Sequence, residues 1–318
     1  MVPDPRLLTP VTGERLRADA RPGPALREQL RKVPNVWNAI AVLSTWLQTV
    51  AIAIAAVWVN HPAMWLLAIV LMGRAHAQFA ALMHEAAHRM LFRNRKLNDW
   101  VGRWLVGYVG FTPIDGYRRG HMAHHRQEFG PDEPDIALYR GYPITRASLR
   151  RKLTRDVSGR TGWKLFKGLV RAVRSEDPIA RKQARSIVAV QLVIIIICTA
   201  FGRPWLWLVL WFLPYLTVWR VINRLRSIAE HGGMERSDDR RNTTHSVRQH
   251  FFARFLVVPY WIGWHLAHHV DSGVPMRNLP RLHRELVAGG YVTNELEYRS
   301  YPALWKALSS RPDAPTDA

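Results

Sequence analysis

A single cysteine, Cys198, occurs in the 318 residues, so the chain can form no internal disulfide and cannot supply a cysteine-ligated metal cluster. Acidic residues are scarce: 24 Asp and Glu stand against 45 Lys and Arg, for a formal net charge of +21 and a pI near 11.1. A balance of that kind can serve nucleic acid, but no nucleic-acid module is recognisable. Instead 48% of the residues are hydrophobic and gathered in long runs, which the mean hydropathy of −0.13 conceals by averaging them with a charged remainder. No nucleic-acid partner is expected. Residues 1–34 lack an apolar core and are punctuated by proline, so no cleavable leader is expected there. Lysine is also rare, at 7 against 38 arginines, a compositional habit of GC-rich bacterial genomes.

What the chain has is histidine in an unusual arrangement. Eight of its 14 histidines fall in three clusters, His84-Glu-Ala-Ala-His88, His121-Met-Ala-His124-His125 and His265-Leu-Ala-His268-His269. On a helix, residues three and four apart share a face, so each cluster can aim its imidazoles at one place. The spacing His-x-x-His-His is expected by chance about 0.03 times in such a chain, which makes two copies informative. Imidazole suits iron, copper, zinc and nickel alike, but eight or more ligands exceed the needs of one tetrahedral zinc. A polynuclear site is the expectation.

Four apolar spans are read at 38–59, 63–83, 187–201 and 205–221. A helix rises 1.5 Å per residue, so about 20 residues cross a hydrocarbon core of about 30 Å, and the third span is short for that task. Asn60-His61-Pro62 and Gly202-Arg203-Pro204 close the spans into two hairpins. These links hold one basic residue, Arg203, whereas the remaining segments are rich in arginine; the positive-inside rule then places both termini and the middle of the chain in the cytoplasm. Trp58, Trp65, Trp205 and Trp207 would form an outer aromatic belt. All three clusters then fall at the cytoplasmic face. The stretches 100–111 and 251–264 are short for spans and read as interfacial or re-entrant helices.

The expected fold is therefore an all-α integral membrane protein: two transmembrane hairpins and a cytoplasmic helical cap carrying a histidine-rich di-metal site. Its domains are a partly disordered arm over 1–37, a membrane domain over 38–300 and a tail over 301–318. Arg74 lies inside a nominal span, where a guanidinium is costly; projection of that helix into the cytoplasm is favoured over a polar pocket. Residues 146–185 hold 13 basic and three acidic residues, a segment that can meet anionic lipid, an acidic electron-transfer protein, or neither.

The boxes resemble the three-histidine signature of integral-membrane fatty acid desaturases and their hydroxylase and carotenoid-modifying relatives. Three residues separate the histidines of the first box, a spacing similar to that of acyl-lipid desaturases. Family members usually add a ligand upstream of the last box, and Arg226-Ser-Ile-Ala-Glu230-His231-Gly-Gly stands in that place. The resemblance thus implies nine metal ligands: His84, His88, His121, His124, His125, His231, His265, His268 and His269. It further implies two non-haem irons, dioxygen as co-substrate, and an acyl lipid or other long-chain substrate. Two electrons would come from a separate ferredoxin or b-type cytochrome with its reductase, at the bacterial inner membrane. Glu85 and Glu230 are either acceptors for ligand imidazoles or solvated charges. His61, His76, His245, His250 and His283 are read as structural. Two alternatives stay open: a hydroxylase, ketolase or carotenoid-modifying monooxygenase on the same centre, and a non-catalytic membrane metal-binding protein, which would carry ligands within its spans.

Overall fold

The computed structural model describes residues 15–312. In chain order the helices are α1 (Pro24–Leu30), α2 (Asn35–Val59), α3 (Pro62–Ala87), α4 (Arg95–Val101, continued by a π-helical stretch Gly102–Gly107), α5 (Ile114–Arg126), α6 (Ile136–Tyr139), α7 (Arg146–Val157), α8 (Arg160–Ala172) and α9 (Pro178–Ala200). A second π-helical stretch, Trp207–Phe212, leads into α10 (Leu213–Leu216), α11 (Val218–His231), α12 (Arg240–Thr243), α13 (Phe251–Leu256), α14 (His265–Val270), α15 (Leu279–Ala288) and α16 (Tyr301–Leu308). Two short strands, β1 (Ser246–Val247) and β2 (Glu297–Tyr298), pair in parallel with Ser246 opposite Glu297. The chain divides into two compact units: Met1–Val33, Gly120–Leu153 and Arg224–Ala318 form one, Pro34–Arg119 and Thr154–Asn223 the other.

The unit containing Pro34–Arg119 holds the three helices long and apolar enough to cross a membrane: α2, α3 and α9. Asn60, left-handed at φ 42°, ends α2, and His61 caps α3 by accepting from the Ala63 amide, with Pro62 at the first helical position. Two-thirds of the apolar window of α3 is buried, against about a fifth for α2 and α9. The central helix is α3. Ile40, Leu43, Leu47, Val50 and Ile54 form an exposed stripe on α2, of the kind expected to face lipid. Gly73 allows the closest approach to α3, since a Cβ there would lie 2.3 Å from Val218 Cγ1.

Two sequence expectations change here. The segment 205–221 is not one helix: it runs through the π-helical stretch and α10, which carries Pro214, and breaks at Thr217 (φ −117°, ψ −85°) before α11. Proline removes a backbone donor and π-turns shift the register, so freed carbonyls need side-chain partners. Gln191 donates to the carbonyls of Tyr108 and Val109, and Trp211 donates to Val109 and receives His76 on its own carbonyl. Arg74, in turn, is buried with Nη1 donating to Gln48 and Gln78 at 2.9 Å each. It occupies a polar pocket, which removes the need for projection. The third span, short in the sequence reading, extends backwards to Pro178.

The other unit is built around Leu266, Ala267, Leu279, Leu282, Leu286, Ile228 and Leu304, all essentially buried. Within the expected arm, α1 is tied down: Arg27 and Arg31 pair with Asp271, and Asn278 donates to the Leu30 carbonyl at 2.7 Å. Helix α16 lies in the segment expected as a tail, with Trp305 donating to the Leu225 carbonyl. Residues 1–14 and 313–318, also assigned to arm and tail, lie outside the described residues.

Candidate metal centre

Three helices deliver histidines within one unit. Helix α5 brings His121, His124 and His125 in its last turns. Helix α14 is six residues long and wholly buried, and it carries His265, His268 and His269. Helix α11 ends on His231, after which Gly233 at φ +73° turns the chain so that Thr243 returns to the same ring. His84 and His88 stand one turn apart at the end of α3 in the other unit, with ring centroids 4.7 Å apart.

The imidazoles of the first unit form two groups. In one, His125 Nε2 lies 3.1 Å from His121 Nε2 and 3.0 Å from His268 Nε2. In the other, His265 Nε2 lies 3.1 Å from His231 Nε2 and 3.0 Å from His269 Nε2, and the donors of His124, His231 and His269 fall within 4.8 Å of one another. Nitrogens each about 2.1 Å from a shared cation lie about 3.0 Å apart when they meet it at right angles. Both groups have that spacing.

The outer nitrogens show what the inner ones can do. His231 Nδ1 donates to the Thr243 carbonyl at 2.8 Å, His269 Nδ1 to Glu128, and His124 Nδ1 to Glu133. A neutral imidazole has one N–H, so placing it on Nδ1 leaves Nε2 as a bare lone pair. Three buried rings therefore converge, each offering an Nε2 lone pair when neutral, and a cation satisfies all of them. Burial, reinforced by neighbouring positive charge, pushes His231, His265 and His269 well below the usual histidine range. They are neutral donors at pH 7 and lose no proton on taking a metal. His124 moves the other way: burial opposes its charge, but the bond to Glu133 and that carboxylate's charge outweigh it.

Glu128 and Glu133 were not singled out from the sequence. Each is buried, and each is fixed from elsewhere: Glu128 pairs with Arg240 at 2.6 Å, and Glu133 accepts from the Phe129 amide. Burial raises the Glu128 carboxyl although Arg240 draws it down. One signal was available, since Glu128, Asp132, Glu133 and Asp135 crowd eight residues directly after the second box of an acid-poor chain. Tyr139 was missed as well; its ring packs 5.0 Å from that of His231. Of the two flagged carboxylates, Glu230 pairs with Arg226 at 2.6 Å and lies 3.5 Å from His265 Nδ1, whereas Glu85 is buried within α3. The five remaining histidines have local roles: His61 caps α3, His76, His245 and His250 bond the carbonyls of Trp211, Gly232 and Arg299, and His283 pairs with Glu297 at 3.0 Å.

Comparison with known proteins gives the same direction. Residues 60–302 match the family model for fatty acid desaturase. Dihydrorhizobitoxine desaturase of Bradyrhizobium elkanii is 25% identical over 262 residues, which cover 76% of this chain and 72% of that protein. The sn-1 oleoyl-lipid 12-desaturase of Arthrospira platensis is 36% identical over 89 residues, 28% of this chain and 23% of that protein. A Delta(5) fatty acid desaturase of Caenorhabditis elegans is 34% identical over 83 residues, 25% of this chain and 18% of its own length.

Proposed function

The chain belongs to the fatty acid desaturase family, and from that premise we propose that it is a membrane desaturase of the acyl-lipid type. It removes one hydrogen from each of two adjacent methylenes to leave a carbon–carbon double bond. Dioxygen accepts those two hydrogens, together with two electrons and two protons, and leaves as two waters. The electrons come from a separate ferredoxin or b-type cytochrome with its reductase. His84, His88, His121, His124, His125, His231, His265, His268 and His269 hold two irons, which when bound supply the site for dioxygen reduction.

The observation that carries this reading is the pair of Nε2 groups, in the second of which the outer nitrogens of His269, His124 and His231 are held by Glu128, Glu133 and Thr243. The residues' own work is to present neutral donors, to fix the tautomers of His124, His231 and His269 through their Nδ1–H groups, and to exclude water by burial. Iron is favoured over zinc because nine neutral imidazoles suit two redox-active ions with open positions better than closed tetrahedral sites. In the bilayer, α2, α3 and α9 span together with the broken segment 205–221, and the histidines and both termini face the cytoplasm of a bacterial inner membrane. Two equivalents of iron per chain, and lipids two mass units lighter in cells making the wild type than in cells making His268→Ala, are the expected results. A gain of oxygen without any new double bond would instead identify the hydroxylase relative.

A second reading concerns the substrate alone. The relative aligned over most of this chain is named for dihydrorhizobitoxine, whereas the two named for fatty acid or oleoyl-lipid substrates align over short segments. A desaturase acting on a molecule other than an acyl lipid is therefore the alternative, and unchanged host lipids beside a new product among the small metabolites would favour it.

A further inference from the structure

Helix α8 carries a one-sided charge that the proposed chemistry does not use. At 100° per residue, Arg160, Lys164, Lys167 and Arg171 share one face, and Arg174 continues it just past the helix end. All five are exposed, and none enters a salt bridge among the described residues. The opposite side is the packed one: a Cβ on Gly162 would lie 2.3 Å from the Leu216 carbonyl oxygen, and the Phe166 ring sits 4.8 Å from that of Phe212. Beside the cations lie Trp163 and Val170, about half exposed at 49% and 50%.

Chain connectivity sets where this face lies. Helix α9, apolar enough to span a membrane, begins six residues after α8 ends, in the same unit. Arg185 of α9 donates to the Val173 carbonyl at 3.3 Å and Arg181 to Ser175 at 2.6 Å, which binds the end of α8 to the polar start of α9. Where α9 enters a bilayer, α8 is held at headgroup depth.

We propose that the basic face of α8 is a binding surface for the anionic phospholipids of the membrane that α9 enters, with Trp163 and Val170 inserted at the interface. A stripe of cations beside exposed aromatic and aliphatic side chains is the composition of an interfacial helix, and the bonds that tie α8 to the polar start of α9 put that stripe where headgroups lie. The inference rests on the membrane-spanning reading of α9 and is independent of catalysis.

The test uses the full-length protein, metal loaded, in nanodiscs of phosphatidylcholine with and without phosphatidylglycerol, and in detergent. Native mass spectrometry counts the phosphatidylglycerol retained relative to phosphatidylcholine, and a spin label at Val170→Cys in a Cys198→Ser background reports immersion depth. Wild type should retain phosphatidylglycerol preferentially, and K164E/K167E/R171E should abolish that preference, with a loss of about fivefold per cation. The charge-conserving K164R/K167R/R171K should keep it. The label should be protected from a water-soluble relaxation agent, more so with phosphatidylglycerol present. Equal retention of the two lipids by wild type, or retention unchanged in the charge-reversed variant, overturns the proposal. So does a label fully open to water, or a charge-reversed variant whose one defect is weaker turnover with an acidic electron donor. Failure to enter nanodiscs at all would count against the spanning reading, whereas entry without lipid preference counts against the face alone.

Discussion

His269 gives its Nδ1–H to Glu128, a residue 141 positions away in the chain, and thereby presents a bare Nε2 3.0 Å from that of His265. The carboxylate determines which nitrogen faces the cluster. Removing it with Glu128→Ala should weaken metal binding by about 10–100-fold, the usual cost of losing an imidazole's outer partner. Glu128→Gln keeps an acceptor and should fall between. Iron content after dialysis against graded chelator measures both, and wild-type retention in the alanine variant would remove Glu128 from its orienting role.

His231→Ala and His268→Ala should act on different groups, since His231 meets His265 and His268 meets His125. Each variant should lose metal from its own group and lose turnover altogether. Stripping metal from wild type should also lower its thermal midpoint, because converging buried lone pairs are left without a partner. Elemental analysis of the purified variants decides the first point, and full iron occupancy in either would exclude that histidine as a ligand.

Arg74→Met should destabilise the membrane unit without touching metal content. The substitution keeps much of the apolar stem but leaves the Gln48 and Gln78 carbonyls without their guanidinium donor. Unsatisfied buried acceptors cost about 1–3 kcal/mol each. The thermal midpoint in detergent should fall accordingly; an unaltered midpoint would show that the pocket finds other donors.

Acid should release α1 from its unit. Burial raises the Asp271 carboxyl, but Arg31 and Arg27 outweigh it and hold the group below the usual carboxylate range. A carboxyl lowered in the folded chain binds its proton more readily when unfolded, so its contribution is complete above the usual range and disappears as pH falls through the folded value. Protease nicking before Asn35 should therefore rise as pH is lowered through that window in wild type. Asp271→Asn should be nicked at neutral pH and vary less with acid; identical profiles would contradict the linkage.

His283→Ala should leave iron content and turnover intact, because His283 meets Glu297 at the edge of the β1–β2 pair and no other imidazole. Its stability should drop by at most about 1 kcal/mol, the scale of a partly exposed ion pair. Loss of activity at unchanged stability is the result that would give it a functional role.

Much of this protein is legible from local pattern. Apolar runs gave the cores of α2 and α3 and, less completely, α9, whose polar first turns carry no hydropathy signal. The segment 205–221 has the composition of a helix, but its interruption depends on where Pro214 and the π-turn find side-chain partners, and the Trp211 carbonyl finds one in His76, 135 positions away. Arg74 looked costly for the same reason: Gln48, its partner, sits 26 positions away on α2.

Sequence by itself determined which histidines share a helix face, because spacing of three and four residues is set by helical pitch alone. It also determined that the chain has apolar helices and too few cysteines for any sulfur-ligated centre. Only the tertiary structure decided which nitrogen of His124, His231 and His269 carries the proton, because Glu133, Thr243 and Glu128 reach those rings through chain reversals that no local pattern encodes. A histidine motif specifies where imidazoles are; the acceptors folded behind them set which lone pairs are offered to a metal.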